Sequence, residues 1–232
     1  MSVLCTICAR GGSKELPNKA LSLINNKPLI AYTIEQALDS KIFDHVIVST
    51  DSETIAQKAK DFGAEVWFIR PKELATDFVG KVSVVRHATQ EAEKYYKTKF
   101  DIIVDLDITS PLRSANDIQK ALKHFIDTKA SNLITACPSR KSPYFNMVEI
   151  SNERVQIVKK LSKDIIRRQD SPKTYDMNAS IYIWNRETIL SSNSLFTSKT
   201  SLYVMSAKQS IDIDSQHDLD IVKFLINKKN ND

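Results

Sequence analysis

Short apolar runs alternate along this chain with longer segments in which apolar residues recur every three or four positions. The short runs predict strands buried on both faces, and the periodic segments predict amphipathic helices. The helix that begins near Pro28 shows the second pattern, because Ile30, Ile34 and Ala37 fall on one of its faces. Strands are predicted at 3–9, 46–48, 66–69, 102–104 and 133–136, and helices from about 28, 52, 81 and 114.

The order of these elements indicates the fold class. A helix connects each of the first four predicted strands to the next strand. Gly63 is placed to stop the second helix, and Ser114 with Asp117 forms the capping-box pattern that starts the fourth. Apolar strands separated by amphipathic helices are typical of a mostly parallel sheet covered on both faces. We therefore expect an α/β protein.

The pattern changes near residue 140. Two β-like runs at 144–150 and 155–159 are separated only by turn residues at 151–153, which predicts a hairpin outside the main sheet. A core strand at 179–184, a short strand at 202–205 and a helix at 215–227 complete the prediction. We expect one domain over residues 1–232, with a β-rich excursion at 140–175.

The composition fits a globular protein of this kind. A chain of 232 residues with 42% hydrophobic content can bury a full core. No apolar stretch approaches the ~20 residues of a membrane span and no signal-peptide pattern opens the chain, so we expect a cytoplasmic protein without a membrane partner. The three cysteines, Cys5, Cys8 and Cys137, are too few for a disulfide framework and are expected to be reduced.

The positive charge is dispersed along the chain. The net charge is +5, and it comes from scattered lysines and not from a basic stripe with interleaved aromatic residues. This pattern favours small acidic substrates over a nucleic-acid partner.

A glycine pair follows the first predicted strand. Gly11 and Gly12 can bring backbone N–H groups close to an anion because they have no Cβ. Cations and a hydroxyl surround them: Arg10, Ser13, Lys14 and Lys19. The spacing matches neither of the standard phosphate-binding glycine motifs, and an ordinary turn is the alternative. The cluster nevertheless predicts a polyphosphate site.

Charged residues also follow other predicted strands. In an open α/β sheet, ligands bind at the carboxyl ends of the strands. Arg70 follows the third strand and the pair Asp105 and Asp107 follows the fourth, while Asp212 and Asp214 follow the late short strand. Carboxylates beside a cationic glycine turn suit a Mg²⁺–nucleoside triphosphate complex. Helix capping by Asp214 or Ser215 is an alternative that does not exclude metal binding.

Five separated motifs carry a family resemblance that spans nearly the whole chain. They are CARGGSK at 8–14, RPKELATD at 70–77, TSPLR at 109–113, NASIYI at 178–183 and SIDID at 210–214. Together they resemble the acylneuraminate cytidylyltransferases, which are also called CMP-sialic acid synthetases. Asp105-Leu-Asp107 and the segment at 142–148 are most similar to the bacterial branch that activates legionaminic acid.

The resemblance implies a reaction and an assembly. CTP would react with a nine-carbon 2-keto sugar acid, with Mg²⁺ as cofactor, to give the CMP-sugar and pyrophosphate. The anomeric 2-hydroxyl of the sugar would attack the α-phosphate. The resemblance also implies a Rossmann-like core and a homodimer, in which the excursion at 140–175 packs against the partner and reaches its active site.

The resemblance also assigns roles to individual residues. Nucleotide binding falls to Ala9, Arg10, Gly11, Gly12, Ser13, Lys14, Lys19, Arg70 and Lys81. Sugar binding falls to Asp107, Thr109, Ser110, Arg168, Gln169 and Asn178. Asp212 and Asp214 match the metal-binding acids, with Asp107 as a further candidate, and Arg10, Lys19 and Asp214 are the expected catalytic residues.

The chain departs from the family pattern at four places. Glu15 stands where glycine is common, and Ala20 stands where the family has an asparagine of the nucleotide site. Sialic acid enzymes have Gln-Pro at the position of Asp107-Ile108 and an arginine at the position of Asp176. Asp107 can then either accept a hydrogen bond from an acetamido N–H of the sugar or join Asp214 on the metal.

Three alternatives remain open from the sequence. The first is a synthetase for CMP-N-acetylneuraminate, and the second is an enzyme for Kdo-type eight-carbon acids. The third is a non-catalytic nucleotide- or sugar-binding protein, an alternative suggested by Glu15 and Ala20. The acidic pair Asp212 and Asp214 argues against the third.

Overall fold

A computed structural model describes residues 1–13, 16–163 and 165–231. The strands are β1 (Val3–Cys8), β2 (Leu23–Ile24), β3 (Lys27–Pro28), β4 (His45–Ser49), β5 (Ile102–Leu106), β6 (Asn132–Pro138), β7 (Val148–Ser151), β8 (Arg154–Ile157), β9 (Tyr175–Met177), β10 (Ile181–Asn185) and β11 (Thr200–Val204). The helices are α1 (Leu29–Ser40), α2 (Glu53–Asp61), α3 (Lys81–Tyr96), α4 (Ala115–Asp127), α5 (Arg186–Ser191) and α6 (Gln216–Asn231).

One sheet organises the chain, with the strand order β11-β6-β10-β5-β1-β4 and β9 added to the end of β6. The pairs of β1 with β4, β1 with β5 and β6 with β11 are parallel. β10 is antiparallel to both of its neighbours, so β5 and β6 run in the same direction. The expected mostly parallel sheet flanked by helices is confirmed, and the carboxyl ends of β1, β4, β5 and β6 share one edge.

Side chains alternate between the two faces of the sheet. On one face, Cys5 and Ile7 pack in a core with Ile34 of α1 and Ile118 of α4. On the other face, Leu4 packs with Ala88 and Ala92 of α3. The apolar runs are continuous because each strand has a helix layer on both sides. α6 packs separately, where Leu219 and Val222 contact Leu16, Ile24 and Leu29 near the opening loop.

The strand predicted at 66–69 is wrong. The chain makes a single bridge to β4, between Glu65 and Ile47. Beyond it, Trp67 stacks on Tyr95 at the end of α3, with the ring centroids 4.4 Å apart. Trp67 and Phe68 belong to an aromatic cluster at the sheet edge, so their hydrophobicity reflects packing and not pairing. The short strand β9 and helix α5 were not among the predicted elements.

The excursion forms its own two-stranded sheet of β7 and β8. Ser151 pairs with Arg154, so the turn contains Asn152 and Glu153, both with positive φ. This confirms the predicted hairpin. Among the residues that the structure describes, no helix combines the length and apolar character needed to cross a membrane.

Candidate active site

The glycine turn lies where β1 and β4 end. The buried Ala9 donates its N–H to the Ser49 carbonyl at 3.0 Å, and Gly11 donates its N–H to the Asp51 carboxylate at 2.8 Å. A Cβ on Gly11 would lie 3.2 Å from the Cβ of Ser52, whereas Gly12 faces open space. The close approach of the segment that starts α2 therefore favours glycine at position 11. Lys14, a predicted phosphate ligand, lies outside the described residues, as does Glu15.

A cavity of about 280 Å³ opens beside this turn. Its polar lining includes Arg10, Arg70 and Lys81, and the segment 71–80 forms the opposite wall. Arg10 is in an ion pair with Asp77 of that segment. The volume is near the lower limit of small-molecule sites. Three of the residues assigned to the nucleotide thus line one cavity.

Arg70 is the most unusual residue of this cavity. It is 4% exposed, and its backbone N–H donates to the Thr50 carbonyl at 2.8 Å. Its Nε and Nη2 atoms are buried and have no hydrogen-bond partner among the described residues, and Asp51 Oδ1 lies 3.8 Å from Nη2. Unsatisfied buried donors are costly. A negatively charged ligand in the cavity would satisfy them.

Lys81 joins α3 to the end of β5. Its ammonium contacts Asp105 Oδ2 at 2.9 Å and Asp107 Oδ2 at 2.8 Å. Burial alone would lower the pKa of Lys81, but the two carboxylates outweigh burial and raise it well above its usual value. Burial alone would raise the pKa of Asp107, but Lys81 and the hydrogen bonds from Thr109 hold it below its usual value. Asp107 is therefore ionised at neutral pH.

The opening segment and the final third of the chain meet at the same edge. Lys19 Nζ contacts Asp214 Oδ1 at 2.9 Å. Ile213 donates its N–H to the Thr109 carbonyl at 2.9 Å, which fixes the SIDID segment beside the loop after β5. Lys19 is 14% exposed and Asp214 is 60% exposed, so the carboxylate remains open to solvent and to ligands.

The ionised side chain of Asp212 lies in an unfavourable electrostatic environment. Its Oδ1 is buried without a hydrogen-bond partner among the described residues. Burial, assisted by repulsion from Asp107 and Asp214, raises the pKa of Asp212 to about 6, although Thr109 and Lys19 act in the opposite direction. A carboxylate with an unoccupied oxygen beside a second carboxylate is a good ligand for a cation.

Capping of α6 uses neighbours of these acids. Asp218 accepts from the Ser215 backbone N–H at 2.8 Å, and the Asp218 N–H donates to Ser215 Oγ at 3.3 Å. Ser215 is therefore the cap, which leaves the Asp214 side chain to contact Lys19.

Two residues assigned to sugar binding, Asn178 and Ser110, form hydrogen bonds with other groups of the protein. Asn178 accepts from Thr135 Oγ1 at 2.7 Å and donates to Ser210 Oγ at 2.9 Å. Ser110 donates its hydroxyl to the Asn178 carbonyl at 3.1 Å. Both side chains are buried. These bonds tie β6, the loop after β5 and the SIDID segment together.

Arg168 and Gln169 lie elsewhere. They line a cavity of about 590 Å³ next to the end of β6, together with Ser139, Lys141 and Lys173. Arg168 donates to the Ser139 carbonyl at 2.6 Å. Neither residue lines the cavity that contains Arg10 and Arg70.

Sequence reasoning missed some supporting residues. It gave no role to Asp77, which pairs with Arg10, or to Arg113, which is buried and donates to the carbonyls of Asp107 and Ser180. Burial without a carboxylate at hydrogen-bond distance lowers the pKa of Arg113 to about 10. Both residues lie in the family motifs at 70–77 and 109–113, and this position was the sequence feature that could have identified them.

The metal expected from the resemblance can be tested against the donor set. No group of three His, Cys, Asp or Glu side chains among the described residues is arranged to hold a metal ion alone. Mg²⁺, however, commonly takes one or two carboxylates and completes its shell with phosphate oxygens and water. Asp212, with its orphan oxygen, and the exposed Asp214 fit that requirement.

The comparisons with known proteins define the class of enzyme, the CTP-dependent nucleotidyltransferases. The chain belongs to the cytidylyltransferase family, whose model matches residues 4–230.

Two relatives and one solved structure are similar to the chain. It is 50% identical over 228 residues to a CMP-N,N'-diacetyllegionaminic acid synthase of Campylobacter jejuni, covering 98% of this chain and 96% of the relative. It is 48% identical, with the same coverage, to post-translational flagellin modification protein B of Campylobacter coli. A CMP:2-keto-3-deoxy-manno-octonic acid synthetase complexed with CTP has the same fold, with a TM-score of 0.72, 18% identity and coverage of 99% of this chain and 100% of that chain.

Proposed function

We propose that this protein transfers the cytidylyl group of CTP to a nonulosonic acid, most specifically legionaminic acid or a diacetylated form of it, and releases pyrophosphate. The observation that carries the proposal is the Lys19–Asp214 contact, which joins the opening loop to the SIDID acids at the edge that also holds the Arg70 cavity. The 50% identity to a CMP-N,N'-diacetyllegionaminic acid synthase supports the choice of sugar.

The triphosphate would be held by the cations of the first cavity and the glycine turn. Arg70 supplies buried donors that have no hydrogen-bond partner among the described residues, and Arg10 supplies a guanidinium that must exchange Asp77 for phosphate. Gly12 leaves the space over the turn open. Cations placed around the α-phosphate stabilise the charge that develops as pyrophosphate leaves.

Asp212 and Asp214 would hold the divalent metal. When bound, Mg²⁺ would neutralise phosphate charge and favour ionisation of the attacking hydroxyl. The protein contributes the placement, because the bond between Ile213 and Thr109 fixes the two acids on either side of a buried apolar residue. Lys19 balances Asp214 and keeps a cation close to the departing phosphates.

The nonulosonic acid would bind next to Asp107 and Thr109. Because the side chains of Asn178 and Ser110 bond within the protein, we assign them to positioning the loop after β5. Arg168 and Gln169 line the other cavity, so we assign them to the active site of a partner copy. The exposed apolar residues Ile150 and Ile166 of the excursion are suited to packing in a homodimer.

Pyrophosphate release tests the proposal. Purified protein with CTP and Mg²⁺ should release pyrophosphate with legionaminic acids and much less with N-acetylneuraminic, pseudaminic or Kdo acids. Exclusive turnover of Kdo would overturn the choice of sugar. No release with any of these acids would favour the non-catalytic binding protein.

A substitution tests the metal assignment. Asp214→Asn should lower the turnover number about 100-fold at saturating Mg²⁺, which corresponds to the loss of roughly 3 kcal/mol of transition-state stabilisation. Asp220→Asn, on the exposed face of α6, is the matched control and should leave turnover unchanged. Unchanged turnover in Asp214→Asn would remove Asp214 from the mechanism.

A further inference from the structure

Lys81 occupies an unusual place for a cation. It is the first residue of α3, where the positive end of the helix dipole disfavours a positive side chain. Its ammonium nevertheless reaches the end of β5 and lies between Asp105 and Asp107, at 2.9 and 2.8 Å. It also lies 4.8 Å above the centre of the Tyr182 ring. Three separate groups, two of them charged, therefore surround this ammonium.

The carboxylate oxygens of this pair already have donors. The second oxygen of Asp105 accepts from Thr6 Oγ1 at 2.8 Å. The second oxygen of Asp107 accepts from the Thr109 backbone N–H at 3.3 Å and from Thr109 Oγ1 at 3.1 Å. A metal ion would have to displace Lys81 or these bonds. By contrast, Asp212 has an oxygen that is buried and without a partner among the described residues.

The balance of charge agrees with this distinction. Asp105 is fully buried and would be strongly destabilised as an unpaired carboxylate. One ammonium shared by two carboxylates leaves a single net negative charge. Lys81 thus performs for these acids what a metal ion performs in other carboxylate pairs.

We propose that Lys81 is the resident cation of the Asp105–Asp107 pair, so that the divalent metal binds at Asp212 and Asp214 and not at Asp107. This inference rests on the proposed function, since it concerns the metal of that reaction. Of the two roles that the sequence leaves open for Asp107, it favours hydrogen bonding to the sugar over metal binding. Asp107 remains an ionised acceptor with a fixed orientation, available to an amide N–H of the sugar.

The test measures how strongly Mn²⁺ improves CTP binding, without any turnover. Titration calorimetry of the full chain with CTP, in EDTA and then with Mn²⁺, gives the ratio of the two dissociation constants. In Asp107→Asn this ratio should stay within about twofold of that of the unsubstituted protein. A ratio that falls to near one in Asp107→Asn would make Asp107 a metal ligand and overturn the inference.

Asp214→Asn distinguishes a failure of the proposed metal assignment from a failure of the inference about Lys81. Its ratio should fall to near one. An unchanged ratio there would contradict the metal assignment of the proposed function, whereas the result with Asp107→Asn alone judges the role of Lys81.

Lys81→Gln gives a second, independent readout. Removing the resident cation should create a new site for Mn²⁺ at the two acids, so that paramagnetic resonance in the absence of CTP detects one more bound Mn²⁺ per chain than in the unsubstituted protein. A folded Lys81→Gln protein with no additional Mn²⁺ would overturn the inference. If circular dichroism shows that this variant does not fold, the comparison with Asp107→Asn decides.

Discussion

The buried groups that lack partners are the most informative single residues of this molecule. Arg70 and Asp212 both have buried polar atoms without a hydrogen-bond partner among the described residues, and they lie at the same edge of the sheet. Most buried polar groups in proteins are satisfied. Such residues lower the stability of the unliganded protein, and a bound ligand is expected to offset this loss. Replacing either residue should therefore change ligand binding and the free energy of unfolding in different ways.

Arg70→Met should separate the two properties. We expect CTP binding to weaken about 100-fold, or roughly 3 kcal/mol, because two charged hydrogen bonds to phosphate are lost. The free energy of unfolding should not fall, since an apolar side chain replaces a buried guanidinium whose Nε and Nη2 lack hydrogen-bond partners in the described part of the chain. Calorimetric titration and urea denaturation measure the two effects.

Arg86→Met is the matched control. Arg86 donates to the Ile189 carbonyl at 2.9 Å and to Asn193 Oδ1 at 3.1 Å near the end of α5. Its loss should lower stability and leave CTP affinity unchanged. Arg70→Met would contradict our interpretation if it behaved in the same way as this control.

Asp212 predicts a pH dependence of stability in the metal-free protein. Its pKa is raised to about 6 in the folded state, so the unfolded chain ionises first as the pH rises. The loss of folding stability caused by ionised Asp212 is absent below about pH 4. It grows as the pH rises to about 6 and then stays constant, at roughly 3 kcal/mol. Asp212→Asn should therefore gain more free energy of unfolding at pH 7.5 than at pH 4.5.

Urea denaturation in EDTA at those two pH values checks this prediction. Because every other group titrates in both proteins, the difference between Asp212→Asn and the unsubstituted chain isolates Asp212. An equal difference at both pH values would show that the carboxylate is not perturbed.

At the scale of elements, helix ends reveal how a chain with few glycines makes its turns. The sequence contains four glycines, all within the described residues, and Gly63 is the only one of the four with a positive φ. Lys41 and Lys97 occupy the left-handed conformation after α1 and α3, with φ of 53° and 54°. A left-handed residue with a Cβ carries strain of about 1 kcal/mol.

Lys97→Gly should therefore raise the free energy of unfolding by about 0.5–1 kcal/mol. The control is Lys94→Gly, an exposed position in the last turn of α3, which should lower it by about 1 kcal/mol because glycine disfavours the helix. Thermal or urea unfolding measures both. A loss of stability in Lys97→Gly would show that the lysine side chain stabilises this helix end.

Elements were predictable where a local signal specifies them. The periodic apolar positions and the cap at Ser114 act within one segment, so the helices α1 to α4 could be predicted. Residues 66–69 failed because an apolar run at a sheet edge can either pair or pack. Trp67 packs on Tyr95, a contact that depends on where α3 ends in space.

The site was predictable to a similar depth. Fold topology brings strand ends together, so Lys19 and Asp214 could be expected at one edge from their order in the chain. The hydrogen-bond partners of Lys81, Asn178 and Arg113 could not be predicted from the sequence. Tertiary packing determines which of several nearby groups each side chain contacts.

At the scale of the whole molecule, the excursion predicts the assembly. Ile150 is 79% exposed on β7, and Ile166 is 85% exposed further along the same excursion. If the proposed homodimer forms through this excursion, Ile150→Glu should shift the protein from dimer to monomer in analytical ultracentrifugation. Turnover should fall as well, because Arg168 would no longer reach the partner site proposed for it. Phe224→Glu, at a position 67% exposed on α6, should change neither property.

Sedimentation of the unsubstituted protein tests whether a dimer forms, and sedimentation of Ile150→Glu tests where its interface lies. A chain that sediments as a monomer before any substitution would contradict the dimer. A dimer that Ile150→Glu leaves intact would move the interface away from the excursion.

The packing of α6 against Leu16 and Leu29 has a consequence for biosynthesis. A ribosome makes the glycine turn well before the acids at 212 and 214. All strands of the sheet have been translated before the acids appear, so a nascent chain can fold most of its core while it still lacks the proposed metal site. That site would then be completed only after the acids have emerged and α6 docks.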